Sequence, residues 1–250
     1  MKTSLFLLFC FCSGIFCIAQ QRAQFGNLPS GASPQDNLLR VQPAFNQFFV
    51  HLKGTETTVN VSKALGTPFE DENFSKGQLY DKDEFLGDFY LRYNAYDDQI
   101  ELKKTTLPEE TVQGLVKNSN FRARYKNVDL SYRAFTDTKG TISTGYLHLL
   151  VNGSSSKLFK RLKAIYVPAT TPINPQTRPT PSRFVQFETF FVSLNGIDQI
   201  MEMPQQTSKF IALFEKSMQS TLRSYMKENK LKLKEEKDLI VLFNYINTTF

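Results

Sequence analysis

The sequence predicts an α+β protein: an antiparallel β-rich body, either a sandwich or a partly closed barrel, followed by a C-terminal helical hairpin. Three observations support this fold class. Apolar and polar residues alternate with the strand period of two along several segments. Asn-Gly pairs, which favour hairpin turns, separate such segments at residues 152–153 and 195–196. After residue 205 the apolar residues recur with the helical period instead.

The N-terminus is typical of a secretory signal peptide. Lys2 precedes an apolar run that ends at Ala19, and this run is short for a membrane-spanning helix. We therefore expect cleavage after Ala19 and a flexible polar leader over residues 20–42. The mature protein is expected in the periplasm, in the cell envelope or in the medium.

Cleavage after Ala19 would remove every cysteine, because the three cysteines lie at positions 10, 12 and 17. This excludes cysteine nucleophiles and thiolate metal sites from the mature chain. His51 and His148 are the two histidines, so a three-histidine metal site is also excluded. We predict no metal and no cofactor, and we find no GxSxG, HExxH or phosphate-loop motif.

A strand pair of the predicted β domain, residues 43–204, is expected in "FYLRYNAYDDQIEL", residues 89–102. Asp97 and Asp98 suit a turn between two strands. Period-two alternation places Phe89, Leu91, Tyr93 and Ala95 on a buried face and Tyr90, Arg92, Asn94 and Tyr96 on the outer face. The outer four are the candidate ligand-binding residues. In the alternative reading, the Arg92 stem packs across the sheet and its head stays hydrated.

The remaining elements follow the same patterns. "GYLHLLVNGSSSKLF" and "TFFVSLNGIDQIMEM" predict two further hairpins, joined by a proline-rich loop at 167–183 that interrupts one sheet system. The basic segment 154–163 is predicted to be a solvated edge strand. A helix is expected from Thr207 or Ser208 to Asn229, and a second from about Glu235, forming a hairpin (205–250) packed on the β domain.

Carboxylates are the main acid–base groups of the chain. Acidic neighbours occur at 70–72, 97–98 and 109–110, and neighbours on a strand point to opposite faces, so none forms a catalytic pair by itself. We interpret them as turn or surface residues. Residues 70–73 lack the regular ligand spacing of a calcium loop. Asn-x-Ser/Thr triplets at positions 60, 73, 152 and 247 matter only in a host that glycosylates exported proteins.

Charge is distributed unevenly. Residues 115–183 contain 12 basic and 2 acidic residues. Such a block either binds anionic partners or is offset by the acidic segments after folding. Export argues against nucleic acid as a partner and favours a polysaccharide, a lipid or an envelope protein.

Several motifs resemble a group of uncharacterised exported Bacteroidetes-type proteins. The similarity covers residues 66–247 and rests on "GTPFEDENFSKG", "LRYNAYDDQIELK", "GYLHLLVNG" and "MKENKLKLKEEKDLIVLFNYIN". The group shows an LRYNxYxDxIE strand pair and a basic C-terminal helical hairpin. The chain departs from it at 245–247, where a paired tyrosine is usual. The resemblance implies export and this architecture, and it supplies no activity.

These observations favour a non-enzymatic exported cell-envelope or periplasmic protein for binding or scaffolding. A first alternative is a carrier that holds a lipid or acyl chain in a curved sheet, suggested by the 23 phenylalanines. A second is a carbohydrate-active enzyme that uses acid pairs, with Asp98 and Glu101 as its candidates.

Overall fold

The computed structural model describes residues 52–54, 64–170, 178–194 and 199–250. The predicted signal peptide (1–19) and leader (20–42), together with His51 and Asn60, lie outside these ranges. Eleven strands are described: β1 Leu52–Gly54, β2 Ser75–Asp81, β3 Glu84–Asn94, β4 Gln99–Lys103, β5 Gln113–Leu115, β6 Phe121–Tyr125, β7 Val128–Thr136, β8 Ile142–Asn152, β9 Ser156–Val167, β10 Arg183–Leu194 and β11 Met201–Glu202. Three helices follow: α1 Thr207–Ile211, α2 Lys216–Glu228 and α3 Glu236–Thr249.

The strands form one large mixed sheet with the order β1-β5-β4-β3-β2-β6-β7-β11-β10-β9-β8. Strand β8 also pairs with β7, so β7, β8, β9, β10 and β11 form a partial ring. Among the described strands, β7 and β11 form the one parallel pair, and the other pairings are antiparallel. The predicted α+β class with a β-rich body and C-terminal helices is confirmed, and the sheet is partly ringed without forming a barrel.

The predicted hairpin at 89–102 is present as β3 and β4. Asp98 has a positive φ of 51°, which aspartate tolerates better than most residues. The predicted inner residues are all buried, but the expectation of one buried face was wrong. Asn94 is fully buried, and every residue of β4 is buried. The reason is that the segment 69–74 covers the outer face, with Phe69 bridged to Asn94.

The second predicted hairpin is formed by β8 and β9 around Asn152 and Gly153. The third pairs β10 with β11, although its turn lies outside the described residues. The proline-rich segment connects β9 and β10, which pair along their whole length. The prediction of an edge strand at 154–163 was wrong, because β9 lies between β8 and β10.

The described residues form three core clusters. One lies under β2, β3, β4 and β6, and includes Leu79, Leu91 and Tyr93. A second joins the outer side of the ring to the helices. The third, here called the ring cluster, takes one residue from each of β7 to β10 plus Ile200: Phe135, Leu147, Phe159, Phe191 and Ile200. Side chains from all sides therefore fill the interior of the partial ring.

The helices differ from the prediction in detail. The first predicted helix is interrupted between α1 and α2, and neither Thr207 nor Ser208 caps it, because Gln206 holds the N-cap position without a side-chain bond. Asn229 ends α2 as predicted, and α3 begins after Glu235. Within the described ranges, none of the helices has the length and apolar character needed to cross a membrane.

Side-chain contacts fasten α3 to the β8–β9 hairpin. The Asn247 amide donates to the Ser156 carbonyl (3.0 Å), and its oxygen accepts from the Ser156 N–H (2.8 Å). Gly153 is required beside it, because a Cβ there would lie 2.0 Å from the Asn247 side chain. Lys160 adds an ion pair with Glu236 at 2.7 Å.

Candidate functional site

Two of the predicted ligand-binding residues take part in an internal network. The Arg92 guanidinium donates twice to Glu101 Oε2, at 3.0 and 2.5 Å, and once to the Glu72 carbonyl at 2.9 Å. It stacks between two phenylalanine rings, 3.7 Å from Phe69 and 4.3 Å from Phe74. Its side chain is 16% exposed, so the head is covered and paired rather than hydrated.

Asn94 completes this network. Its amide donates to Glu101 Oε1 and to Asp97 Oδ2, both at 3.0 Å, and its oxygen accepts from the backbone N–H groups of Tyr96 and Asp97. These bonds tie the turn to both strands. Tyr96 packs edge-on against Phe184, and Tyr90 lies between Lys76 and Lys103 in register. Ligand binding by Tyr90, Arg92, Asn94 and Tyr96 stays a prediction.

Asp98 and Glu101, the candidate catalytic acids, lie in separate surroundings. Glu101 is 3% exposed and bonded as described above. Asp98 accepts from the Tyr93 hydroxyl (2.8 Å) and the Tyr146 N–H (3.1 Å), and it lies 3.6 Å from the Arg161 guanidinium. Gly145 permits this approach, since a Cβ there would lie 2.8 Å from the Asp98 carboxylate. Both carboxylates are thus engaged by internal donors.

A second acid, the half-buried Glu70, anchors the segment 69–74 that covers the hairpin. Its Oε2 accepts from the Tyr125 hydroxyl and lies 3.2 Å from Nε2 of the buried His148. Burial alone would raise the pKa of Glu70. Hydrogen bonds from His148 and Tyr125 and the positive charge of Lys160 outweigh burial, and they lower the pKa to about 2. Glu70 is therefore ionised at neutral pH, and it holds its segment against β6 and β8 through Tyr125 and His148.

A polar cleft of about 540 Å³ among the described residues is the candidate binding site. Its walls come from β6 to β10 and the adjoining loops. The lining residues are Asp83, Ser119, Arg122, Arg124, Asp129, Ser131, Arg133, Ala134, Leu149, Asn152, Lys157, Phe159, Ser193 and Ile200. Phe159 and Ile200 belong to the ring cluster, so the filled interior of the ring closes the floor of the cleft.

Alternation along β6 and β7 explains the charge of this cleft. On β6, Arg122 and Arg124 point away from the core, while Phe121, Ala123 and Tyr125 are buried. On β7, Asp129, Ser131 and Arg133 lie on one face and Leu130 on the other. Two adjacent strands therefore direct charged residues to the same surface.

Asp129 forms ion pairs with two of the arginines that line the cleft. Arg124 binds it in a fork, with Nε 2.6 Å from Oδ1 and Nη2 2.9 Å from Oδ2. Arg122 donates to Oδ1 at 3.2 Å and stacks on Tyr80 at 4.0 Å. Burial alone would raise the pKa of Asp129, but bonds from Arg124 and the charge of Arg122 lower it overall.

Arg133 and Lys157 differ from this pair. Arg133 donates through Nε to the Ser131 hydroxyl at 3.2 Å. Over the described ranges, neither Arg133 nor Lys157 forms an ion pair with a carboxylate. The cleft thus has four cations and two carboxylates, Asp83 and Asp129, among its lining residues. An excess of fixed positive charge in a concave site attracts anions.

The sequence indicated this cleft only as the basic block at 115–183. Basic residues at 122 and 124, two positions apart on a strand, were the more specific signal, because they must share one face. Of the two histidines, only His148 is described, and it pairs with Glu70. In the described part of the chain, no group of three His, Cys, Asp or Glu residues is placed to hold a metal ion.

In comparisons with known proteins, no family model, no curated protein and no solved structure matched this chain. The functional interpretation therefore depends on the geometry of the cleft.

Proposed function

We propose that this chain is an exported, non-enzymatic cell-envelope binding protein that holds an anionic ligand in the basic cleft. The observation that carries the proposal is the excess of cations there, with Arg133 and Lys157 lacking a carboxylate partner among the described residues. The cleft volume lies within the range of small-molecule sites, about 300–1,000 Å³.

The packing of the ring favours this ligand class over an apolar one. A lipid carrier needs an apolar cavity, whereas the interior of the partial ring is filled by the five residues of the ring cluster. Most residues that line the cleft are charged or polar. An anion gains the most from such walls, because hydrogen bonds to charged groups are the stronger ones.

The test is binding of dextran sulfate, with neutral dextran as the uncharged control, measured by calorimetry on the mature protein. We expect binding of the sulfated polymer alone, and a much lower affinity at about 1 M salt than at about 0.01 M, because the Debye length falls from about 30 Å to about 3 Å.

Three variants locate the site. Arg133→Ala and Lys157→Ala should each weaken binding about tenfold, since each removes a charged donor. Lys163→Ala removes the same charge from an exposed position on the same strand as Lys157, outside the cleft. It should change the affinity little. Equal losses in Lys157→Ala and Lys163→Ala would contradict the proposal.

Export is part of the same proposal and has its own measurement. The full chain, expressed in a bacterium with two membranes, should be recovered outside the cytoplasm. The intact mass of the product should match a chain that begins at Gln20. A product that retains Met1 or stays in the cytoplasm would overturn this part alone.

A further inference from the structure

We infer that the ligand of the basic cleft is an acidic saccharide, meaning a sugar that carries a carboxylate or phosphate group, rather than a lipid. This inference rests on the proposed function, because it takes the cleft as the binding site and adds the chemical class of its ligand. Three features of the cleft support it: the polar groups at its rim, the apolar side chains at its floor, and the packed ring cluster that closes the floor.

The rim offers two kinds of polar group. Arg133 and Lys157 supply positive charge that no described carboxylate neutralises. Ser119 and Asn152 are exposed neutral groups on the same rim. A hydroxyl and an amide donate and accept hydrogen bonds, as sugar hydroxyls do. A bare anion can only accept hydrogen bonds here, whereas the hydroxyls of an acidic sugar can also donate to the oxygens of Ser119 and Asn152.

Part of the floor of the cleft is apolar, beside the buried Ser131 and Ser193. Leu149 is half-buried and packs on the ring cluster, and Phe159 and Ile200 belong to that cluster. A sugar ring carries C–H groups on its faces, and aromatic and aliphatic side chains pack against such surfaces. An apolar floor beneath a charged, polar rim therefore complements a ring that is polar at its edge and apolar on its face.

The closed floor argues against a lipid. An acyl chain would have to continue inward from the head group, but the packed ring cluster occupies that direction. Two of the cations are also already engaged, since Arg122 and Arg124 hold Asp129. The anionic group of the ligand is therefore assigned to the Arg133 and Lys157 side of the rim.

The experiment compares five probes on the mature protein: tri-galacturonate, glucose 6-phosphate, the neutral galactose trisaccharide, inorganic phosphate and vesicles of an anionic phospholipid. At least one acidic sugar should bind at least tenfold more tightly than inorganic phosphate and the neutral trisaccharide. The two acidic sugars distinguish a carboxylate from a phosphate as the preferred group. Vesicle binding should be weaker than sugar binding and unaffected by Lys157→Ala.

Two variants test the sugar contacts separately from the charge. Leu149→Asn keeps the number and branching of the side-chain heavy atoms and makes this part of the floor polar, so affinity for the acidic sugar should fall about tenfold while phosphate binding is unchanged. Leu150→Asn is the matched control, because Leu150 is equally half-buried but packs on the helix-side cluster. If Leu149→Asn does not fold, Asn152→Ala on the exposed rim should show the same selective loss.

The two proposals fail in different ways. If neither dextran sulfate nor any anionic probe binds, the proposed function is wrong. If dextran sulfate binds but inorganic phosphate or the vesicles match both acidic sugars, the proposed function stands and the saccharide inference is overturned. Equal effects of Leu149→Asn on sugar and phosphate would also overturn it.

Discussion

Arg92 on β3 and Arg133 on β7 lie in one sheet but have opposite surroundings. Arg92 is stacked between two rings and bonded to Glu101 and to a backbone carbonyl. Arg133 is exposed and bonds only Ser131 among its described contacts. A conspicuous arginine in a tyrosine-rich strand thus belongs to an internal network here, whereas the cleft has more cations than carboxylates among its lining residues.

The same contrast extends to whole regions. Around the β3–β4 hairpin, Arg92, Asn94, Asp97 and Glu101 satisfy one another. We therefore expect changes there to affect stability and to leave anion binding intact. Changes in the cleft should do the reverse, because its cations are exposed or half-buried and surface ion pairs contribute little to stability.

Glu101→Ala should have the largest effect. It leaves the covered Arg92 guanidinium without its carboxylate and removes an acceptor from the buried Asn94 amide. Loss of one partner of a buried pair costs about 3–5 kcal/mol of unfolding free energy. Urea unfolding measures the loss, and calorimetry below the unfolding transition should give an unchanged affinity for dextran sulfate.

Glu109→Ala is the control for this prediction. Glu109 is exposed and follows Pro108, so its removal should change the unfolding free energy by less than about 0.5 kcal/mol. Similar losses in both variants would show that the Arg92–Glu101 network stabilises the fold no more than a surface charge does, and that the two regions do not differ in this respect.

Lowering the pH should decrease the free energy of unfolding, because Glu70 beside the β3–β4 hairpin becomes protonated. Its folded pKa of about 2 lies below the ordinary value of 4.5. A lowered folded pKa gives stability that is present above pH 4.5 and is lost as the pH falls toward 2. Linkage sets this contribution at about 3 kcal/mol.

Glu70→Gln isolates this contribution, because other acids titrate in the same interval. The stability difference between the wild type and the variant, measured by urea unfolding, should be largest near neutral pH. It should shrink steadily as the pH falls toward 2. A difference that is constant across this interval would mean that Glu70 ionisation does not stabilise the fold.

Asn247→Ala should have an intermediate effect on the outer side of the ring. Its side chain bonds both the N–H and the carbonyl of the buried Ser156. Leaving buried backbone groups unpaired costs about 1–3 kcal/mol. Thermal unfolding measures the loss, with Asn244→Ala, exposed on the same helix, as the matched control. A decrease in Asn244→Ala as large as in Asn247→Ala would assign the effect to the helix and not to this contact.

The sequence supported local structure better than long-range structure. Alternation and turn residues predicted the β3–β4 and β8–β9 hairpins, and helical period with Asn229 predicted the end of α2. These signals lie within about twenty residues of chain. The register of the β3–β4 hairpin also places Arg92 opposite Glu101. This ion pair could therefore have been predicted from the sequence.

The position of β9 and the cleft required contacts between distant segments. Edge and interior strands with mixed charge look alike when read alone, and β9 is interior because β10 pairs with it across the proline-rich segment. The cleft combines residues 122–133 with residues 149–159, Ser193 and Ile200. No local sequence period encodes how these distant segments meet. The sequence therefore indicated the basic block but not the cleft that its residues line.

Asp129→Asn should have the smallest effect on stability, and it tests directly how the cleft differs from the Arg92 network. The change removes the carboxylate that occupies Arg122 and Arg124 and adds one unit of net positive charge to the cleft. Because Arg124 is 52% exposed, the unfolding free energy should change by less than about 1 kcal/mol. Affinity for dextran sulfate should rise about two- to fivefold, as expected for a competing charge of this strength.

Asp88→Asn makes the same charge change at an exposed position of β3 and should leave the affinity near that of the wild type. A lower affinity in Asp129→Asn would mean that Asp129 orients the two arginines for the ligand instead of competing with it, and the cleft would then resemble the satisfied network around Arg92.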